Sequence, residues 1–233
     1  SPVYMVDVAI EENGLRNSGG GPVTLTVDPA LPCGLVLDPQ SGTITGTPTE
    51  TADLRAHTVT ATNEAGSSTC TLRICVKPKI NTFRGIKTSE FFPPGLQFLE
   101  RWTAAYSEPY SHGTTQAQLA SVPAHARYVF VGAVSPDGNI ALAAMGERDE
   151  VLRVTDSVEK AHEHNGVHWY FKPGWAFGFS PTEEICLCNA DTNDTSRELR
   201  LSWHLTGQGG WRAGNAKDLN KSEEWRKLVY WAD

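Results

Sequence analysis

Short stretches of alternating hydrophobic and polar residues, separated by turn residues, run through the first third of the chain. They lie at 23–27, 34–37, 43–46, 57–62 and 68–76. Asn63 and Gly66 bracket the last turn, where such residues adopt the positive φ angles that others resist. Period-two alternation in short, evenly spaced stretches predicts an all-β sandwich, and no stretch here has the helical period.

The second half of the chain also reads as β-strands. The stretches are 127–132, 139–142, 150–155, 167–171, 175–179, 185–187, 199–205 and 225–231. Roughly eight strands predict a sandwich or jelly roll that is larger than the first module. Asp156-Ser157-Val158-Glu159 has the pattern of a capping box and predicts one short helix that runs to His164. The predicted fold class is therefore all-β throughout.

Aromatic residues divide the chain into two domains. Of its 21 aromatic residues, only Tyr4 precedes residue 77, and six of the seven tryptophans follow residue 168. We therefore expect a module at 1–76, a junction at 77–100 and an aromatic-rich β-sandwich domain at 101–233. The junction contains four phenylalanines, which would be costly to leave in water, so we expect it to pack rather than to act as a flexible linker.

Charge and hydropathy exclude some partners. The formal net charge is −7 over 233 residues without runs of like charge, which argues against a nucleic-acid partner. No apolar run is long enough for a membrane span. The chain starts at Ser1 without an initiator Met, so we expect it to be a piece of a longer protein.

Three motifs in the first module follow one another in order and identify a family resemblance. They are LPCGL at 31–35, SGTITGTP at 41–48 and VTATNEAGSS at 59–68. The first module resembles the immunoglobulin-like (cadherin-like) domain family. The resemblance implies a β-sandwich that is often repeated in tandem in extracellular or cell-surface proteins, and it implies no catalysis. We favour a spacer that presents its neighbour.

A second signature lies near the end of the chain. It comprises RLSWHL at 200–205, GGWRAG at 209–214, LN at 219–220 and WRK at 225–227. This part is similar to C-terminal modules of large protist surface proteins that carry the same immunoglobulin-like repeats. The resemblance names no family and implies no activity.

The cysteine count is odd, so at least one thiol is free or pairs with another chain. The five are Cys33, Cys70, Cys75, Cys186 and Cys188. Strand parity predicts that Cys70 points into the core and Cys75 outward. A Cys33–Cys70 bridge and buried free thiols both remain open. Cys186 and Cys188 share one face of a strand, and two ligands are too few for zinc without histidines.

Two groups of residues raise the question of a metal. His162 and His164 would lie on different sides of the predicted helix and could not share an ion, so ordinary surface and capping histidines are favoured. Asp191, Asn193 and Asp194 place oxygens as a calcium loop does, but the glycine and glutamate of an EF-hand are missing. We predict no cofactor. A loose Ca²⁺ site on these three residues is the alternative to a polar turn.

Trp211, Arg212 and Asn215 are the candidate ligand-binding residues. They lie in a glycine-rich stretch that we predict to be a loop, where a tryptophan can stack on a sugar face while polar neighbours bind hydroxyls. The alternative is that Trp211 plugs one end of the sandwich.

These observations predict a function without catalysis. The chain lacks a Gly-x-Ser-x-Gly elbow and a phosphate-binding loop, and it shows no evident Cys–His pair. We predict a binding or adhesion fragment of a larger modular surface or secreted protein, whose C-terminal loops contact a glycan or a protein. The alternative is a structural subunit of a larger assembly, with the aromatic junction buried against neighbouring domains or subunits. The expected location is extracellular or at the cell surface.

Overall fold

The computed structural model describes residues 2–16, 18–21, 23–155, 161–185 and 191–233. The chain divides into two compact units, Ser1–Lys79 and Ile80–Asp233. Each unit is built from β-sheets, which confirms the predicted all-β class. The division falls just after the last strand of the first module.

The N-terminal unit contains two sheets. Its strands are β1 (Val3–Met5), β2 (Asn13–Gly14), β3 (Thr24–Asp28), β4 (Leu35–Leu37), β5 (Thr43–Gly46), β6 (Ala52–Asn63) and β7 (Gly66–Lys77). One sheet has the order β1-β7-β6-β3 and the other β2-β5-β4. β6 and β7, each twelve residues long, form the longest antiparallel pair of the unit. Val6, Leu35, Ile74 and Val76 form one buried cluster of its core, and Ile44 and Val59 are also buried.

The cysteines of this unit correct one prediction. Cys70 has the same strand parity as Ile74, yet its side chain is exposed, whereas Cys75 is half-buried. Cys70 lines an open cavity of about 440 Å³ together with Leu25 and Val59. The face of β7 that carries Cys70 is therefore open to solvent at this position. Cys33, Cys70 and Cys75 are all free thiols, and the Cys33–Cys70 bridge is not formed.

The C-terminal unit contains eleven strands and two short helices in its described residues. They are β8 (Lys87–Thr88), β9 (Thr103–Pro109), α1 (Gln116–Leu119), β10 (Tyr128–Val134), β11 (Ile140–Glu147), α2 (Arg148–Val151), β12 (His162–His164), β13 (Val167–Lys172), β14 (Ala176–Ser180), β15 (Leu201–His204), β16 (Gly210–Ala213), β17 (Ala216–Lys217) and β18 (Arg226–Ala232). Single 3-10 turns lie at Ser89–Phe91, Gln97–Leu99, Arg197–Leu199 and Leu219–Lys221.

Two sheets of this unit pack face to face. The five-stranded sheet has the order β8-β11-β10-β18-β9, and the six-stranded sheet has the order β12-β13-β14-β15-β16-β17. Alternate residues of both sheets form one core, which includes Val131 and Val229 from the first sheet and Trp169, Phe177 and Trp203 from the second. These three aromatic side chains are fully buried, so they are core residues rather than a binding surface.

The aromatic junction belongs to the C-terminal unit, where it covers the outer face of the five-stranded sheet. The rings of Phe83, Phe92 and Phe98 lie 6.1–6.2 Å from the ring of Phe130, which is fully buried. Aromatic pairs at such distances add to the stability that burial provides. Phe91 packs edge-on against Phe92 and remains 44% exposed.

Two local predictions in this unit are wrong. The predicted strand 150–155 begins within α2, because the chain turns sharply after Glu147 and inserts Val151 into the core. Asp149 in the first turn suits the positive end of a helix. The predicted helix that runs to His164 is wrong at its C-terminal end, because His162–His164 is a strand. The capping box at 156–159 lies outside the described residues.

Candidate functional site

The structure moves two of the three predicted ligand-binding residues out of a loop. Trp211 and Arg212 lie within β16, and only Asn215 lies in a turn, between β16 and β17. The Arg212 side chain is fully buried, so it cannot meet a ligand as predicted. Trp211 is half-buried and packs against a buried cluster that includes Tyr170 and Ala176, on the outer face of the six-stranded sheet.

The residues of the predicted calcium loop instead bind arginine side chains. Asp191 is fully buried, and both of its carboxylate oxygens lie 3.2 Å from Nη1 of Arg200, which is also fully buried. Burial raises the pKa of the Asp191 carboxyl, while the charge of Arg200 opposes that shift. Both carboxylate oxygens of Asp191 are therefore engaged by the guanidinium.

Asp194 and Asn193 bind a second buried arginine. Nη2 of Arg212 donates to the Asp194 carboxylate, and Nη1 donates to the backbone carbonyl of Asn193. Nζ of Lys217 lies 3.1 Å from both Asp194 carboxylate oxygens. Hydrogen bonds from Lys217 and then Arg212 lower the pKa of Asp194. In the parts of the chain that the structure describes, no three His, Cys, Asp or Glu side chains could hold a metal ion together.

Tyr170 completes this polar layer on the outer face. It is the register partner of Gly178, and its hydroxyl donates across that glycine to the carbonyl of Leu201 at 2.8 Å. A Cβ at position 178 would lie 2.6 Å from the tyrosine oxygen, so only glycine leaves room for this bond. Burial raises the pKa of the Tyr170 phenol, which stays neutral.

An exposed aromatic corner lies at one end of the six-stranded sheet. Trp175, in the turn before β14, has 51% of its surface exposed. Its carbonyl accepts from the N–H of Leu205 at 2.9 Å, directly beside His204 at the end of β15. The ring of His204 lies 6.4 Å from the ring of Trp211. We call the turn that carries Trp175, whose backbone is bonded to the end of β15, the tryptophan corner.

The antiparallel register places Asn215 away from the tryptophan corner. The β16 strand runs from Gly210, opposite Trp203, to Ala213, opposite Leu201. Asn215 follows the Ala213 end, whereas Trp175 lies beyond the opposite end of β15. The alternation pattern predicts a strand that starts at Trp175. The preceding Pro173-Gly174, a turn dipeptide, was the available signal that it begins outside the strand.

A cavity of about 500 Å³ lies at the tip of the β12–β13 hairpin. Asn165 and Gly166 form the turn, both with positive φ, as a two-residue Asn-Gly turn requires. The amide of Asn165 donates to the carbonyls of Phe83 and Met145 at 3.0 and 2.9 Å. Phe83 and Met145 also line the cavity, and His164 lies on its wall.

Sequence reasoning missed a lysine inside the C-terminal unit. Lys227 is fully buried and donates to Thr114 Oγ1 at 2.8 Å and to the carbonyl of His112. Its ammonium lies 5.7 and 6.0 Å from the ring centres of Tyr106 and Tyr110. Burial lowers the pKa of Lys227 to about 8. The sequence signal for this burial is that Lys227 lies two residues before Val229 and so shares the core-facing side of the strand.

The N-terminal unit has the fold of an immunoglobulin-like β-sandwich domain. Residues 5–77 match a family model described as "Putative Ig domain". This match confirms the resemblance that the three motifs indicated. Domains of this family are modular and generally non-catalytic.

No curated protein matches this chain. Within the described residues, no helix has the length and apolar character that crossing a membrane requires.

Proposed function

We propose that this chain is a non-catalytic binding or adhesion fragment of a modular surface or secreted protein. In this proposal the immunoglobulin-like domain is a spacer, and the C-terminal unit contacts a glycan or a protein. The family match supports a modular role without catalysis. The observation that carries the binding role is the exposure of Trp175 at the tryptophan corner.

The chemistry of the corner suits contact with a sugar or a protein side chain. An exposed indole offers a flat apolar face with one polar edge, and such rings are enriched where proteins meet ligands. The ring stands in a turn fixed to a packed sheet, and binding residues are commonly placed on such turns. The backbone of Trp175 is bonded to Leu205, next to His204, whose half-buried ring lies 6.4 Å from that of the half-buried Trp211. Burial, and then the charge of Lys227, lowers the pKa of His204, which favours a neutral ring near pH 7.

The test is a screen of the whole chain against glycans and cell surfaces. A matched pair of variants is Trp175→Ala and Leu54→Ala, because Leu54 is an equally exposed apolar side chain (58%) in the other unit. We expect binding that Trp175→Ala abolishes and Leu54→Ala retains. Binding that is independent of Trp175 would contradict the proposed site.

The exposed part of the junction favours a second candidate, a structural subunit of a larger assembly. Phe91 and Leu96 are 44% and 38% exposed, and Phe91 packs against Phe92 in the aromatic cluster of the C-terminal unit. A neighbouring subunit would bury this apolar surface. Recovery of the chain in a stoichiometric complex that Phe91→Ala disrupts, without a glycan signal, would favour this alternative. For both candidates we propose an extracellular or cell-surface location.

A further inference from the structure

Two histidines bond the edge strand of the six-stranded sheet to the segment where β11 passes into α2. The three-residue strand β12 pairs with β13 and ends the sheet. His162 and His164 are two positions apart, so their side chains lie on the same face of the strand. Both rings bond to the backbone where β11 passes into α2, and they do so with opposite hydrogen-bond polarity.

His162 acts as a donor. Its Nε2 lies 2.8 Å from the backbone carbonyl of Glu150, and because a carbonyl can only accept, Nε2 carries the proton. In the neutral ring Nδ1 is then bare. This nitrogen is buried and has no hydrogen-bond partner among the described residues. Protonation of His162 would therefore place a buried N–H without an acceptor.

His164 acts as an acceptor. Its Nε2 lies 3.1 Å from the backbone nitrogen of Glu147, and because an amide can only donate, Nε2 carries a lone pair and Nδ1 the proton. A second proton on Nε2 would face the Glu147 N–H and end this bond. The ring also lies against Gly146, where a Cβ would be 2.6 Å from its Cδ2.

The charged neighbours of His162 act in both directions. The carboxylate of Glu150 lies 3.5 Å from its Nε2 and favours the charged ring, whereas Arg153, 3.6 Å from that carboxylate, and His164 oppose it. Burial is the largest effect, and the net result is a lowered pKa of His162. Glu147 and Arg84, of opposite charge, line the cavity on whose wall His164 lies.

We propose that His162 and His164 form a pH-sensitive latch, which holds β12 on the corner between β11 and α2 while both rings are neutral and releases it on acidification. The amide bonds of Asn165 to the carbonyls of Phe83 and Met145 do not titrate, so the turn stays in place. The loosening is confined to β12 and to the cavity wall that His164 forms. A short edge strand is the kind of element that opens without unfolding the rest of a domain.

Hydrogen exchange of the whole chain tests the latch. After correction for intrinsic exchange rates, we expect the protection of the Glu147 amide to fall at least tenfold between about pH 7.5 and about pH 5, the range in which histidine titrates. Amides of β14 and β15 should keep their protection. In His164→Gln a side-chain carbonyl can accept from Glu147 at either pH, so the response should disappear. His125→Gln alters an exposed histidine (68%) and should leave the response intact.

Two results would overturn the latch. One is equal protection of the Glu147 amide at both pH values in the wild type. The other is a full response in the double variant His162→Gln, His164→Gln. If His164→Gln does not fold, ¹⁵N shifts of the wild-type imidazoles decide. The latch requires Nε2–H on His162 and Nδ1–H on His164 at neutral pH, and the reverse assignment at either ring contradicts it.

Discussion

The carboxylate of Asp191 and the guanidinium of Arg200 form an ion pair from which water is fully excluded. The same guanidinium donates to Thr182 Oγ1 at 2.9 Å and to the carbonyls of Thr195 and Glu184 at 2.6 and 3.4 Å. One arginine therefore joins the segments on both sides of 186–190 to the start of β15. Asp191, one of the residues that resemble a calcium loop, is therefore part of a buried network that stabilises the fold.

Removal of the buried carboxylate should destabilise the C-terminal unit strongly. Asp191→Asn leaves the Arg200 charge buried without its counter-charge, and breaking such a pair costs about 3–5 kcal/mol. Chemical denaturation measures the change in the free energy of unfolding. The matched control is Asp149→Asn, since Asp149 pairs with Arg148 at 2.7 Å but is 89% exposed. That change should cost less than about 1 kcal/mol. Similar losses in the two variants would contradict this account, as would a rise in stability on adding Ca²⁺.

The buried lysine should make stability depend on pH in the alkaline range. Because the folded pKa of Lys227 is lowered to about 8 from an unfolded value of 10.5, the folded chain binds this proton less tightly than the unfolded chain. The penalty is fully present below pH 8 and disappears as the pH rises toward 10.5. Stability should therefore rise by roughly 2 kcal/mol between about pH 7.5 and about pH 9.5.

Lys227→Met removes this proton and should remove the rise. Denaturation curves of the wild type and the variant at several pH values give the difference directly. Above about pH 10 ionisation of tyrosines in the unfolded chain should lower the stability of both proteins, because burial raises the pKa of Tyr106 and Tyr110 in the folded state. A wild-type free energy of unfolding that stays level relative to the variant between the two pH values would show that the folded pKa is not lowered.

Two phenylalanines of the junction should differ sharply in their effect on stability. Phe98 is 8% exposed and packs on Phe130, so Phe98→Ala should cost about 3 kcal/mol or more. Phe91 is 44% exposed, and Phe91→Ala should cost about 1 kcal/mol or less. Thermal or chemical unfolding of the whole chain provides both values. Equal effects would contradict the assignment of the junction to the packed face of the five-stranded sheet.

Alternation of hydrophobic residues was enough to predict most strands, because period two is imposed locally by the pleat. It failed at 150–155, where Val151 is buried as part of a helix turn, since a buried residue in a turn and one in a strand give the same short pattern. It also missed β9 and β16. Gly210 is a strand residue because it pairs with Trp203, and β9 is a strand because it pairs with β18, which lies far away in sequence, so neither strand is marked by local alternation.

The candidate site was harder to predict than the fold. A polar residue beside Trp211 suggested an exposed platform, yet Arg212 is buried because Asn193 and Asp194, about twenty residues earlier, supply its acceptors. Charge partners that lie far apart in sequence leave no local pattern. Exposure of Trp175 depends in the same way on where the turn ends and on what packs against it.

The most direct measurement of the central claim is the affinity of the whole chain for a ligand found in the screen, compared between the wild type, Trp175→Ala and Leu54→Ala. Loss of a stacking tryptophan commonly costs 2 kcal/mol or more, so Kd should rise at least about thirtyfold for Trp175→Ala and stay unchanged for Leu54→Ala. A Kd within about twofold of the wild type for Trp175→Ala would contradict the claim that the tryptophan corner binds the ligand.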